Sequence, residues 1–309
     1  MNYLVIAVIA YFLVAIEVIL DKFLLTSKRV SHPSIYAFYI GMMSLFALGF
    51  IPFGVHPISL QQAILMIIPG IIFTYGVMSL FFAINKSEAS RVMPVVGAII
   101  PIATFLLSIF FLSEKLRVIQ LVGVGALIVG GLLISFEFPF KDKKRFFHGF
   151  YYSIAAGILL AIAFTWFKYF FEHDNFVNVF VWTRIGLFFG ALSLFLNPVW
   201  RKRILESFGG FKKPQKEHYE TGSLFVVNKA LGGIGSFMTN FAIAIGSVTI
   251  VNALVSTEYV FILLIGLVMS LKFPKIFQEK ESALEITQKV VSIIIISLGV
   301  ILISLKHRL

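Results

Sequence analysis

Four ionisable side chains lie deep inside long apolar runs of this 309-residue chain: Glu17, Arg184, Lys229 and Glu258. An ionised group at the centre of a bilayer costs at least about 2.5–3.5 kcal/mol, so each must have a partner or a task. Opposite charges at one depth can pair and offset part of that cost. A carboxylate among hydrocarbon can also trade a proton for a cationic substrate, because desolvation favours a neutral group. At 1.5 Å per helical residue, Glu17 and Lys229 lie about 10 Å from one membrane face, and Arg184 and Glu258 about 10–14 Å from the other. This spacing predicts two pairs, Glu17–Lys229 and Glu258–Arg184, that bind substrate or a coupling ion; plain interhelical salt bridges are the alternative. Lys168, one turn from the end of its run, reads as a side chain snorkelling to the interface. Glu114, Glu137 and Glu172 sit at run ends and read as interfacial caps.

Backbone breakers form a second set. Pro94 and Pro101 share one run, and each lacks the N–H of a helical hydrogen bond and kinks the chain. In a membrane such kinks are tolerated where they line a cavity, the role expected here. Pro69-Gly70 and Gly232-Gly233-x-Gly235 suit close helix packing. Trp182 and Tyr259, with Trp166, are candidates for stacking on a ring or a quaternary ammonium, whereas Trp200 suits an interfacial belt.

The elements that must carry these residues are helices. Apolar runs of about 20 residues occupy 3–24, 34–53, 61–83, 92–112, 118–138, 148–171, 177–197, 222–246, 249–271 and 286–305. Hydrophobic residues make up 59% of the chain and charged ones 13%, far from the quarter usual in soluble domains. The runs are continuous rather than alternating, which excludes an outer-membrane barrel and leaves helices that satisfy their own backbone. The expectation is an all-α integral membrane protein with a multi-pass topology and no room for a soluble domain.

Several function classes drop out. There is no cysteine, hence no thiolate metal site, and the six histidines show no H-x-x-x-H spacing. No G-x-x-x-x-G-K-[ST] loop is present for a nucleotide. Neither an enzyme, a metal nor a cofactor is expected. The net charge of +11 does not point to nucleic acid, because 19 of the 26 lysines and arginines sit in the odd-numbered loops or, as Lys22 and Lys289 do, in the run ends beside them. That bias places the odd loops inside and both termini outside. The stretch 208–219, with Lys212, Lys213 and Lys216, reads as a solvated loop that fixes topology rather than a lipid-binding segment.

The halves of the chain resemble each other weakly. Phe82-Ala83-Ile84 matches Phe241-Ala242-Ile243, and Gly130-Gly131-Leu132-Leu133-Ile134-Ser135 matches Gly299-Val300-Ile301-Leu302-Ile303-Ser304. A repeat of five spans must be inverted in its second copy, an arrangement recurrent in transporters. The division expected is a first five-helix repeat over 1–138, a basic linker over 139–147 and a second repeat over 148–309.

The run Ala83-Ile84-Asn85-Lys86-Ser87-Glu88-Ala89-Ser90-Arg91-Val92-Met93-Pro94, followed by Pro101 and Phe111-Leu112-Ser113-Glu114-Lys115-Leu116, resembles the EamA-type repeat of the drug/metabolite transporter superfamily. Ser113 stands where that repeat has glycine, and the second half departs further, with Val260 and Phe273 at the places of Pro101 and Glu114. The segment around Glu17 also resembles the first helix of the small multidrug resistance relatives, where a glutamate couples protons to cation export. The resemblance implies a ten-helix secondary transporter working by alternating access in the cell (plasma) membrane. Its best-known members keep both termini in the cytoplasm, opposite to the charge bias here. The expected substrate is a small metabolite, such as an amino acid or other zwitterion, driven by protons or exchange; partners are the substrate and the lipid bilayer, without nucleic acid, in a monomer or homodimer. The alternatives are a lipid or lipid-linked-sugar translocator and a non-transporting membrane scaffold or accessory subunit.

Overall fold

The computed structural model describes residues 2–25, 32–86, 89–135, 143–209, 216–272 and 283–305. Glu137, residues 139–142 of the linker, Lys212, Lys213 and Phe273 lie outside them. Among the described residues every regular element is a helix. Helix α1 spans Tyr3–Leu25 and α2 spans Pro33–Met43, continuing as a 3₁₀ stretch over Ser44–Phe53. Then follow α3 (Leu60–Lys86), α4 (Ala89–Phe111), α5 (Val118–Ser135), α6 (Lys143–His173) and α7 (Phe176–Ser193). The remainder are α8 (Pro198–Gly209), α9 (Lys216–Ile245), α10 (Val248–Ala253), α11 (Val255–Lys272) and α12 (Ala283–Ser304).

Eight spans among the described residues are long and apolar enough to cross a membrane, and the apolar stretch Val118–Ile134 of α5 is slightly shorter. The chain is an integral, multi-pass, all-α membrane protein. Helix α9 has ample length at 30 residues, but Asn228, Lys229 and Asn240 dilute its apolar character. Two features depart from the expected runs. Span 249–271 is split at Leu254 into α10 and α11. The connection after span 177–197 is not a plain loop but begins with helix α8.

The chain forms two compact units, each drawn from both halves of the sequence. The first comprises 1–29, 115–139 and 214–309; the second comprises 30–114 and 140–213. In the first unit α1 packs along α9 and α11, and α5 along α12. In the second, α6 packs along α3 and α4, and α7 along α3 and α2. The contact between α3 and α7 depends on glycine: a Cβ on Gly186 would meet the Cα of Gly70 at 3.0 Å and collide with the Ile67 carbonyl. Pro69 precedes that crossing, where the missing backbone donor loosens the helix, and Thr74 Oγ1 donates to the carbonyls of Gly70 (3.2 Å) and Leu187 (3.1 Å).

Ser113 has φ +51°, the left-handed region that favours glycine. It ends α4, and the Glu114 N–H returns to the Ser108 carbonyl at 3.1 Å. The glycine of the EamA-type repeat thus falls where the backbone calls for one, and this chain tolerates serine there.

Candidate functional site

The first unit gathers the deepest charges. Lys229 Nζ of α9 lies 2.8 Å from Glu17 Oε1 of α1, with the side chains only 13% and 19% exposed. Gly232, one turn beyond Lys229, makes the approach feasible, because a Cβ there would fall on the Glu17 carboxylate. Gly235, on the next turn, lets the two backbones close up near Ala10 and Val14. The glycine run read as close packing therefore does two things: it joins the helices and seats an acid.

Glu258 comes from the split span. Ser247 caps α10 by accepting from the Ile250 N–H (3.0 Å), and the helix stops at Leu254. Chain direction resumes at Val255, with Thr257 Oγ1 donating to the Leu254 carbonyl (2.7 Å) and Ser256 Oγ to Leu127 of α5 (2.6 Å). The Tyr11 hydroxyl donates to the Val251 carbonyl (2.9 Å), satisfying a backbone group beside the interruption. Glu258 thus falls in the first turn of α11, where unsatisfied N–H groups and the helix dipole favour negative charge. It is 4% exposed and has neither a hydrogen bond nor an ion pair among the described residues. Glu258 shares this unit with Glu17, whose helix α1 packs along α11.

Arg184 belongs to the second unit. It is buried, its guanidinium lies 4.5 Å from the Phe180 ring centroid, and its carbonyl accepts from Ser44 Oγ (2.8 Å). The structure therefore joins Glu17 to Lys229 but assigns Glu258 and Arg184 to different units. Trp182, its neighbour but one, buries Nε1 with no hydrogen-bond acceptor among the described residues. Pro94 and Pro101 are both buried within continuous α4. Around Pro94, Val92 and Val96 pack with Ala156 and Leu160 of α6. Lys168 reaches Glu172 one turn on (3.2 Å), so the two residues read separately as a snorkelling base and a cap form a single pair.

Sequence reasoning missed Tyr11, which nothing in a single sequence separates from the other tyrosines. It also missed Asn228, fully buried beside Lys229, although an asparagine within an apolar run is itself a signal. A third omission lies at the ends of the spans. His56 Nε2 meets Asp174 Oδ1 at 2.8 Å, Asn178 Nδ2 donates to Asp174 Oδ2 (2.6 Å), and Asn175 Nδ2 donates to the Gly54 carbonyl (2.9 Å). This cluster clasps the loop after the 3₁₀ stretch to the start of α7. The bond to Asp174 raises His56 above its ordinary value, helped by the Pro57 carbonyl and opposed by slight desolvation. Burial would raise Asp174, but hydrogen bonds from Asn178, His56 and the Asn175 N–H outweigh it and hold the carboxyl below its usual value.

Comparison with known proteins bears on this geometry. Residues 1–136 match the EamA-like transporter family. Over these residues the chain is similar to that family. That family is one of membrane transporters. An uncharacterized protein of Methanocaldococcus jannaschii is 38% identical over 69 residues, 22% of this chain and 50% of that protein, so the match spans about half the relative's length. A crystal structure 16% identical in sequence superposes with a TM-score of 0.67 over 99% of this chain and 97% of the other, a likeness of fold alone.

Proposed function

We propose that this protein is a secondary active transporter in which Glu258 loads a proton or a cationic group, with the Glu17–Lys229 pair beside it in the same unit. The observation that carries the reading is a carboxyl group 4% exposed, inside a split helix, with no hydrogen bond or ion pair among the described residues. An acid so placed must carry a proton or be neutralised by a cationic ligand, because an uncompensated buried charge is prohibitive. Split helices that place charged groups at their termini are a recurring device in transporters. Within the units, α6 packs on α3 and α4 as α1 packs on α9 and α11, the exchange expected if each half of the sequence repeats the other. This supports ten transmembrane helices in two inverted five-helix repeats, 1–138 and 148–309, operating by alternating access.

Arg184 and Lys229 serve in this reading as anchors or charge partners, and Trp182 and Tyr259 as contacts for substrate; the unused Trp182 N–H is a donor for a carbonyl or carboxylate. The kinks at Pro94 and Pro101 shape the path in α4. Groups of both signs suit an amino acid or other zwitterion, carried across the plasma membrane by a monomer or homodimer. The scaffold alternative requires every intramembrane charge to be paired, and Glu258 counts against it.

The test is uptake into proteoliposomes with and without a pH gradient. Glu258→Gln is expected to reduce gradient-driven uptake at least about tenfold, while its melting temperature stays level or rises because a buried unpaired acid has been removed. Glu17→Gln is expected to lose uptake and stability together, since Lys229 is left without its carboxylate, a loss of about 3–5 kcal/mol for a buried pair. Unimpaired uptake in both variants overturns the proposal; gradient-independent movement of a fluorescent phospholipid in the same vesicles would favour a translocator instead.

A further inference from the structure

Helix α8 is the element that the apolar runs give no hint of, and its surface is unusual for a connection between spans. Trp200, Ile204 and Phe208 recur every fourth residue and face the second unit. Ile204 is fully buried in a cluster with Ile35, Phe38, Met78 and Leu194, and Trp200 packs against it. Phe208 meets Phe38 edge-on at 5.9 Å, and Ser207 Oγ lies 3.1 Å from the Tyr39 hydroxyl. The helix is therefore tied to the first turns of α2 and the last turns of α3 and α7, the ends that adjoin the odd-numbered loops.

Its remaining surface mixes two chemistries. Arg201, Lys202 and Arg203 are all exposed, with Glu206 the one acid on the helix. Interleaved with them, Val199 and Leu205 are 59% and 54% exposed. A face that carries three cations cannot lie in hydrocarbon, and exposed aliphatic side chains interleaved with them gain nothing from water alone. The boundary between acyl chains and headgroups satisfies both: aliphatic groups and side-chain stems sink toward the chains, while the cationic heads reach phosphate. Arginine suits phosphate oxygens through paired N–H donors. The odd-numbered loops and the run ends beside them also hold 19 of the chain's 26 lysines and arginines, the signature of the leaflet where anionic lipids gather.

We propose that α8 is an interfacial helix that binds anionic phospholipid headgroups through Arg201, Lys202 and Arg203. The partner is a lipid of that leaflet, and the docked helix holds the adjoining ends of α2, α3 and α7 at the membrane surface. This assignment does not depend on Glu258 or on any transport activity.

The experiment titrates purified full-length protein with phosphatidylglycerol or phosphatidylcholine and follows both retained lipid, by native mass spectrometry, and thermal unfolding. The wild type is expected to bind and be stabilised by phosphatidylglycerol in preference to phosphatidylcholine, with the preference shrinking at high salt. Arg201→Gln/Lys202→Gln/Arg203→Gln is expected to weaken phosphatidylglycerol binding by on the order of 100-fold and to leave the phosphatidylcholine response unchanged. Should the triple variant not fold, Lys202→Gln alone is expected to lose about fivefold, and Arg201→Lys/Arg203→Lys to keep most of the binding. Wild-type phosphatidylglycerol binding in the glutamine variants overturns the proposal. So does equal stabilisation by glycerol phosphate without acyl chains, which would mark a site for soluble phosphate.

Discussion

Ser113 shows how much one residue can say about a fold. Its φ of +51° is unfavourable for any side chain with a Cβ, at about 1–2 kcal/mol, and glycine relieves it. Part of the gain is returned through the greater freedom of glycine in the unfolded chain. Ser113→Gly is therefore expected to stabilise the protein by up to about 1 kcal/mol, a rise of about 2 °C in thermal unfolding; a fall in melting temperature would show that the serine side chain contributes something the backbone geometry does not reveal. Glu258 lies at the opposite extreme, a buried acid with no hydrogen bond or ion pair among the described residues, eased only by its place in the first turn of α11. Residues that defy stability in this way are where function is sought. Glu17 was legible in the sequence as an acid out of place, and so was its partner Lys229. That Gly232 makes room for the carboxylate was not, because a glycine in an apolar helix reads the same whether it faces lipid, a neighbouring helix or a side chain.

Among the elements, the described helices follow the apolar runs to within a few residues at most ends, and the departures share a cause. The split between α10 and α11 involves no proline or glycine at Leu254; Ser247, Thr257 and Tyr11 make the break affordable by supplying hydrogen bonds to the backbone groups around it. Helix α8 hides from an apolar-run search because its buried stripe is a single residue wide every turn. The clasp of His56 and Asp174 couples two loops that are remote in sequence. His56 is raised from 6.5, so its share of the stability is complete below pH 6.5 and fades as pH climbs through the raised folded value. Asp174 is lowered from 3.8, so its share is present above that pH and lost on acidification. Amide hydrogen exchange in 54–59 and at the start of α7 is expected to be slowest between about pH 4 and 6.5, after correction for the intrinsic rate, and to quicken at higher pH. Asp174→Asn should abolish that dependence; an unchanged profile in the variant would show that His56 does not report on the clasp.

At the scale of the molecule, two partitions of one chain coexist. The repeat expected from the sequence would divide it near residues 139–147, whereas the compact units interleave helices from both halves. A repeat is a statement about descent along the chain and a unit one about packing, so neither replaces the other. Membrane orientation belongs to this scale as well, because it depends on charge summed over all short loops. With 19 of 26 lysines and arginines in the odd-numbered loops and the run ends beside them, both termini are expected outside. An alkaline phosphatase fused after Leu309 should then be active and a green fluorescent protein at the same place dark; the reverse result would favour the orientation of the best-known EamA-type transporters.

The sequence by itself determined that this chain lives in a bilayer as helices, where most of them run, and which charges are anomalous. It could do so because hydrocarbon imposes one rule on every residue, that backbone polar groups be satisfied locally and charges be rare, and this rule is read one residue at a time. Only the tertiary structure decided that Glu17 meets Lys229 over Gly232, that Glu258 and Arg184 belong to different units, and that Tyr11 secures a broken helix. Those outcomes depend on which face of each helix meets which neighbour, and in a chain apolar on every side, periodicity carries almost no information about facing.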